Sequence, residues 1–156
     1  MKQNESLNVQ NRIVLGWVAG SIGFAVKHLM AQPLYLLGWL KVTFLQYSAG
    51  LFLPYENVHS LGGVVIGACA DFTICLLLGQ GFVGALTITG FRQLKLQGMV
   101  YGLTVWILLY GALINLGMTL YTDRPASDSF LMFLIHLGFG YALGWAVERY
   151  GREAFN

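Results

Sequence analysis

The chain contains 156 residues, of which 56% are hydrophobic and 10% are charged, and its formal net charge is +2. An ordinary soluble domain carries roughly a quarter charged residues, so this composition excludes a water-exposed globular surface and predicts a single membrane domain. The basic residues form no cluster and are not interleaved with aromatic residues, so nothing supports nucleic-acid binding. We therefore expect the partners to be the lipid bilayer and other membrane helices, including self-association.

Both ends of the chain read as short polar tails. Residues 1–12, MKQNESLNVQNR, show no apolar periodicity and are predicted to be mobile. The apolar run from Ile13 to Met30 has no clear cleavage site, so we interpret it as a retained first span and not as a signal peptide. With residues 151–156 as the second tail, the predicted transmembrane domain covers residues 13–150.

Apolar runs long enough to cross a ~30 Å hydrocarbon layer as helices predict four spans. Residues 34–53 are ambiguous, because they are long enough to span but carry Lys41, Gln46 and several Trp and Tyr residues. We interpret this segment as an interfacial or half-buried helix, and a fifth crossing is the alternative. The predicted fold is therefore all-α, an integral membrane four-helix bundle with one additional helix. Its spans cover residues 13–30, 58–88, 98–121 and 129–147.

The basic residues favour a topology with both termini in the cytoplasm, because cytoplasmic loops carry more Lys and Arg than external ones. A fifth crossing would separate Arg92 and Lys95 from Arg12, so four spans fit better. With four spans, six basic residues face the cytoplasm (Lys2, Arg12, Arg92, Lys95, Arg149 and Arg152) and three face outside (Lys27, Lys41 and Arg124).

Two of the predicted spans carry the same pattern, a histidine, two glycines and an acid at intervals of four residues. The spans that precede them match in outline, since Gly16 and Gly20 correspond to Gly98 and Gly102. We interpret this as an internal duplication of a two-helix hairpin. The two patterns are His59, Gly63, Gly67, Asp71 and His136, Gly140, Gly144, Glu148.

The glycine rows indicate close helix packing. Lipid tails are as apolar as leucine, so membrane helices associate through close backbone contact, which glycine permits. A row spaced by four residues favours a right-handed crossing near −40°. We expect packing contacts at Gly16, Gly20, Gly63, Gly67, Gly98, Gly102, Gly140 and Gly144.

Asp71 is the residue that packing alone does not explain. An Asp at the centre of a span costs about 2.5–3.5 kcal/mol on insertion scales, so it should face the bundle interior. Its expected partners are Lys27, His28, Thr73, Thr104 or another subunit, and it could instead stay protonated. Asp71 could form a structural pair or take part in a proton or ion relay, and both interpretations stay open. We interpret Glu148 and its neighbour Arg149 as a solvated pair at the membrane interface.

The remaining polar residues give little chemistry. Within one pattern the histidine and the acid lie about 18 Å apart along the helix axis, so they cannot share a metal or a proton. His59 and His136 could meet only between the repeats, as structural residues or as part of an ion path. Cys69 and Cys75 do not have the spacing of cysteines that bind a metal ion, so we interpret both as small buried apolar residues. No catalytic motif occurs, so we expect neither an enzyme, nor a metal, nor a cofactor.

The last two predicted spans contain GMVYGLTVWILLYG, residues 98–111, and HLGFGYALGWAVERYG, residues 136–151. About a third of the chain thus resembles small bacterial multi-spanning proteins of the YqhR-like and YagU-like sort. In these, a G-x-x-Y/F-G-x-x-x-W span precedes a span with a small-residue H/Y-x-x-x-G row. The resemblance implies a bacterial inner membrane and a four-helix bundle. It implies no activity for Gly102, Trp106, His136 or Gly140.

Two functions follow from these patterns. The first is a non-enzymatic membrane protein that acts through helix association, as an assembly partner or a homo-oligomer. The alternative is a small channel or transporter for an ion, a proton or a solute, with Asp71, His59, His136 and Lys27 as candidates for its path.

Overall fold

A computed structural model describes residues 2–112, 116 and 125–151, and it describes only the backbone of residues 2–10. Within these ranges the chain is all-helical and contains no β-strand, which confirms the predicted all-α class. Three helical segments are long and apolar enough to cross a membrane: Asn11–Leu36, Leu61–Thr89 and Ala126–Tyr150. They correspond to the first, second and fourth predicted spans.

Helix α1 runs from Lys2 to Leu36 and is longer than the first predicted span at both ends. The prediction of a separate tail over residues 1–12 is wrong for residues 2–12, which continue the helix. Neither Gly nor Pro interrupts these residues, so nothing in them ends it. At the other end, Pro33 lies inside the last turn, and the chain leaves the helix at Gly38, whose φ of 74° suits glycine.

The segment 34–53 forms no continuous helix long enough to be a fifth crossing, and the helix predicted for it is short. Its only α-helix beyond the end of α1 is α2, Phe44–Ala49, which at six residues rises about 9 Å. A capping box between Thr43 and Gln46 starts α2, and a turn at Gly50 ends it. Most of α2 is buried, because the segment folds back against the bundle instead of lying on its surface. A short 3₁₀-helix, Tyr55–Asn57, then leads to the second span.

Helix α3, Leu61–Thr89, is capped by the Ser60 hydroxyl, which accepts a hydrogen bond from the Gly63 amide at 3.0 Å. Helix α4, Leu94–Val105, continues as a π-helix over Trp106–Ala112. The rest of the third predicted span lies outside the described residues, apart from Leu116. Helix α5, Ala126–Tyr150, is the most buried of the three spanning segments.

The helices pack side by side in the order α3, α1, α5, α4, with α2 against α3. Two groups of buried apolar side chains hold this layer together. The larger core contains Leu15, Ala19, Cys75, Phe82, Val83, Leu86, Phe139, Leu143, Ala146 and Val147. The smaller core contains Ala31, Leu40, Phe44, Met132 and Ile135 and lies under α2.

Glycines mark the two closest helix contacts. A methyl group at Gly16 would meet Gln80, and one at Gly20 would overlap the backbone at Cys75, so these glycines let α1 touch α3. The corresponding contact between α4 and α5 joins Gly98 and Gly102 to the backbone of His136, Gly140 and Gly144, and a methyl at Gly144 would overlap the backbone at Leu94.

The predicted equivalence of Gly63 and Gly67 with Gly140 and Gly144 is wrong at the level of contacts. Gly63 faces the backbone of Asn57 and Val58, and Gly67 faces that of Leu45. These two glycines therefore admit the folded-back segment around α2. The α3 glycine that touches α1 is Gly79, which meets the backbone of Gly16 and Gly20.

Candidate functional site

Asp71 lies where the two apolar cores meet. It is ten residues into the 29-residue helix α3, about 15 Å from the start of that helix. Its relative exposure is 3%. The carboxylate therefore faces the bundle interior, as expected from the cost of placing an acid in lipid.

Lys27 of α1 is the principal partner of Asp71. Its Nζ donates to Asp71 Oδ1 at 2.6 Å and to Cys75 Sγ at 3.3 Å, and it lies 4.3 Å from the centroid of the Phe44 ring. Lys27 is thus a buried, paired charge, which confirms it as one of the expected partners of Asp71. The cation is compensated in place by a charge-assisted hydrogen bond.

The register of the α1–α3 contact explains why these two residues meet. Lys27 lies seven residues after Gly20 in α1, which is about 10 Å along the helix axis from the Gly20–Cys75 contact. Asp71 lies four residues before Cys75 in α3, which is about 6 Å from the same contact. Because the two helices are antiparallel, both residues lie on the same side of that contact. Helical side chains lean toward the N-terminus of their helix, so the long lysine chain covers the difference.

His28 and Ser48 complete the coordination of the carboxylate. His28 Nε2 donates to Asp71 Oδ2 at 2.8 Å, and Ser48 Oγ of α2 donates weakly to Oδ1 at 3.4 Å. Two elements, α1 and α2, therefore hold the acid of α3, and both of its oxygens are occupied. We call Lys27, His28, Ser48 and Asp71 the polar cluster.

A partly open cavity of about 120 Å³ adjoins the polar cluster. Its floor comes from α1 and α5, its walls from α3 and the α4–π segment, and one end from α2. At the other end, the hydroxyl of Tyr101 donates to the carbonyl of Leu78 at 2.9 Å and joins the two walls. The lining residues Leu51 and Leu109 are exposed and mark the mouth. The other lining residues are Lys27, Phe44, Tyr47, Ser48, Asp71, Ile74, Leu78, Val105, Tyr110, His136 and Phe139.

The two predicted histidine candidates lie in different environments. His136 is 6% exposed and lines the cavity, and its Nδ1 donates to the carbonyl of Met132 at 2.7 Å. His59 is exposed, accepts a hydrogen bond from Gln46 Nε2 at 3.1 Å and stacks edge-on against Tyr55. Only His136 therefore shares the cavity with Lys27 and Asp71.

Other predicted partners of Asp71 are engaged elsewhere. The hydroxyl of Thr73 donates to the carbonyl of Cys69, and that of Thr104 donates to the carbonyl of Val100, so both bond within their own helices. Over residues 11–112 and 125–151, side chains form no group of three His, Cys, Asp or Glu residues that could hold a metal ion.

Glu148 pairs across helices and not with its neighbour. Its carboxylate accepts from Lys95 Nζ at 2.8 Å, whereas Arg149 lies over the Tyr150 ring. The predicted Glu148–Arg149 pair is therefore wrong in its partner, although the pair that forms is exposed as expected. The nearby carboxylate raises the pKa of the Lys95 ammonium, chiefly through the hydrogen bond.

Sequence reasoning did not find Ser48, Phe44 or Tyr110 as site residues. Ser48 and Phe44 belong to α2, which is hidden in an aromatic segment without helical periodicity. Tyr110 lies on the π-helix, and no sequence pattern signals that local change in hydrogen bonding.

Comparison of the chain with protein-family models, with curated proteins and with solved structures found no match. The assignment of a function therefore depends on the geometry of the polar cluster and its cavity.

Proposed function

We propose that this chain is a non-enzymatic, multi-pass membrane protein that conducts protons, or a small polar solute, past Asp71. The observation that carries the proposal is a buried carboxylate on a helix long and apolar enough to span a membrane, hydrogen-bonded to Lys27 and His28 and lining a cavity. Ionisable residues within membrane-spanning helices are costly and typically mark ion or proton paths. The resemblance to the YqhR-like and YagU-like proteins supports a bacterial inner membrane, and the distribution of basic residues supports cytoplasmic termini. In this proposal the third predicted span, residues 98–121, supplies the fourth membrane-crossing helix of the bundle.

The arrangement suits transfer more than catalysis. The Ser48 hydroxyl donates to Asp71 and not to a histidine, so it has no base arranged to make it a nucleophile. Asp71 and His28 are titratable groups joined by a hydrogen bond, and the cavity brings His136 to the same space. Water in a cavity needs polar partners, and Lys27, Ser48, Asp71 and His136 supply them in the lining of this one. Water in it would link the cluster to His136.

Proteoliposomes that contain a pH-sensitive dye test this proposal. We expect an imposed proton gradient to collapse faster with the wild-type protein than in empty liposomes, and Asp71→Asn to remove the difference. Glu148→Gln is the matched control, because it neutralises an exposed acid of the same chain and should leave the flux unchanged. Absence of flux, or equal flux through the Asp71→Asn protein, would refute the proposal, provided that both proteins elute and melt as folded species.

Self-association is the second candidate, and the outer face of α3 favours it. Gly62, Cys69, Thr73 and Gly84 are exposed and fall within about 60° of one another around the helix. A Cβ at Gly84 would meet no atom within 4 Å. Another helix of the same chain could approach this face closely.

Disulfide crosslinking in native membranes tests that candidate. Oxidation should produce a dimer through Cys69, and Cys69→Ser should abolish it. Cys75 is buried, so Cys75→Ser is a control that should leave the dimer intact. A monomer throughout would remove the case for a homo-oligomer at this face.

A further inference from the structure

The cavity has a mostly apolar lining, and its polar lining groups include both hydrogen-bond donors and acceptors. Most of its lining side chains are aliphatic or aromatic, and the polar ones come from the polar cluster, the tyrosines and His136. An engineered apolar cavity of about 150 Å³ in another protein binds benzene, so a space of this order accommodates one aromatic ring. The shape and lining therefore suit a small apolar molecule better than a bare ion.

His136 contributes a hydrogen-bond acceptor to this space. Its Nδ1 faces the Met132 carbonyl, which can only accept, so Nδ1 carries the proton and the neutral ring leaves Nε2 as an acceptor. Across the described part of the chain, His136 makes no other hydrogen bond. A side chain that is more than nine-tenths buried thus presents one acceptor without a donor. Because Nε2 is reached from the cavity and is not sealed within the core, a hydrogen-bond donor on a bound molecule would find it.

Lys27 contributes a donor to the same space. Two of its three N–H groups are used by Asp71 and by the weaker sulfur acceptor Cys75, and its remaining contact is with the ring of Phe44. The ring of His136 packs against the same phenylalanine, with centroids 5.5 Å apart. The donor and the acceptor therefore lie against one aromatic ring.

The mouth of the cavity is apolar. The exposed residues that mark it are Leu51 and Leu109. In a chain whose long helices suit a membrane, an apolar mouth favours entry of a molecule that is dissolved in the bilayer.

We infer that the cavity binds a lipid-dissolved molecule that carries a hydroxyl group on an apolar ring, such as a phenol or a quinol. The hydroxyl hydrogen donates to His136 Nε2, its oxygen accepts from Lys27 Nζ, and the ring lies among Phe44, Tyr47 and Phe139. A ketone or an ether lacks the donor that His136 requires, and a hydrocarbon satisfies neither group. This inference goes beyond the proposed conduction and does not depend on it.

The test uses two fluorinated probes of nearly equal shape, 4-fluorophenol and 4-fluorotoluene. The full-length protein is placed in phosphatidylcholine nanodiscs, and binding is followed by ¹⁹F NMR, with empty nanodiscs to correct for partition into lipid. We expect the wild-type protein to bind the phenol about tenfold more tightly than the toluene, which corresponds to about 1.4 kcal/mol.

The His136→Leu variant should reduce this preference to within about twofold, and His59→Leu, which alters an exposed histidine away from the cavity, should preserve it. Equal binding of the two probes to the wild type would overturn the inference, and so would an unchanged preference in His136→Leu. If His136→Leu does not fold, the comparison of the probes on the wild type decides alone. The proton-flux assay is independent, so either proposal can fail while the other stands.

Discussion

Removing Asp71 alone should destabilise the protein strongly, because it would leave the Lys27 ammonium in an apolar interior. The carboxylate accepts at 2.6 Å from Lys27 and at 2.8 Å from His28, and no other acid among the described residues pairs with that lysine. In Asp71→Ala the remaining neighbours of Nζ are a thiol and an aromatic ring, which are weak partners. Breaking a buried pair in this way costs about 3–5 kcal/mol.

Removing both charges should cost much less. In Lys27→Met/Asp71→Leu no ion remains to be compensated, and apolar replacements of similar volume are often neutral or stabilising. His28 then loses its acceptor, but it is partly exposed and can find another. We therefore expect the double variant to be clearly more stable than Asp71→Ala, which is the sign of a large coupling energy between the two sites.

Thermal unfolding of the detergent-solubilised protein, followed by tryptophan fluorescence, measures both effects. For a chain of this length about 1 kcal/mol shifts Tm by roughly 2–4 °C, so the single variant should melt roughly 6–20 °C lower. The double variant should recover at least half of that loss. A single variant that melts with the wild type would refute the reasoning, as would a double variant no better than the single one.

The remaining predictions concern packing, exposure and surface charge. A methyl group at Gly140 would overlap a backbone carbonyl of α4, so Gly140→Ala should cost about 1–3 kcal/mol and lower Tm, whereas Gly84→Ala, in open space, should not. Native protein in detergent should react with one equivalent of maleimide at Cys69 and with a second, at Cys75, only after unfolding; two fast equivalents would contradict the buried position. Glu148→Gln breaks an exposed pair and should leave Tm unchanged within the error of the melt. A clear drop in Tm would show that this pair contributes more than its exposure indicates.

The inward direction of Asp71 could be predicted from sequence, but its partner could not be chosen. Insertion cost alone turns a mid-span acid away from lipid. Selecting Lys27 over Thr73 or Thr104 requires the register between α1 and α3, which is set by backbone contacts at Gly20 and Cys75. The spacing predicted Gly20 as a packing position, but it did not predict which residue of α3 lies opposite it.

The ends of the helices were the less predictable part of the fold. Long apolar runs located the helices that contain Gly16, Gly79 and Gly140, because a run of that length in lipid must be helical. The short helix α2 could not be predicted from residues 34–53, because it is buried only through contacts made in the folded chain. One of these is at Gly67 of α3, which lets the backbone at Leu45 approach closely. The cavity is in turn a product of α2 and the π-helix, so it was beyond sequence reasoning as well.

The pairing of Lys27 with Asp71 has a consequence for how the chain enters the membrane. A helix that reached the lipid alone with either residue would carry an uncompensated penalty of about 2.5–3.5 kcal/mol on insertion scales. Helices α1 and α3 cancel most of that penalty only when they arrive together, with the stretch between them already folded. We therefore expect α1 and α3 to enter the membrane together as a helical hairpin. The ion pair forms only when the two helices are correctly packed against each other.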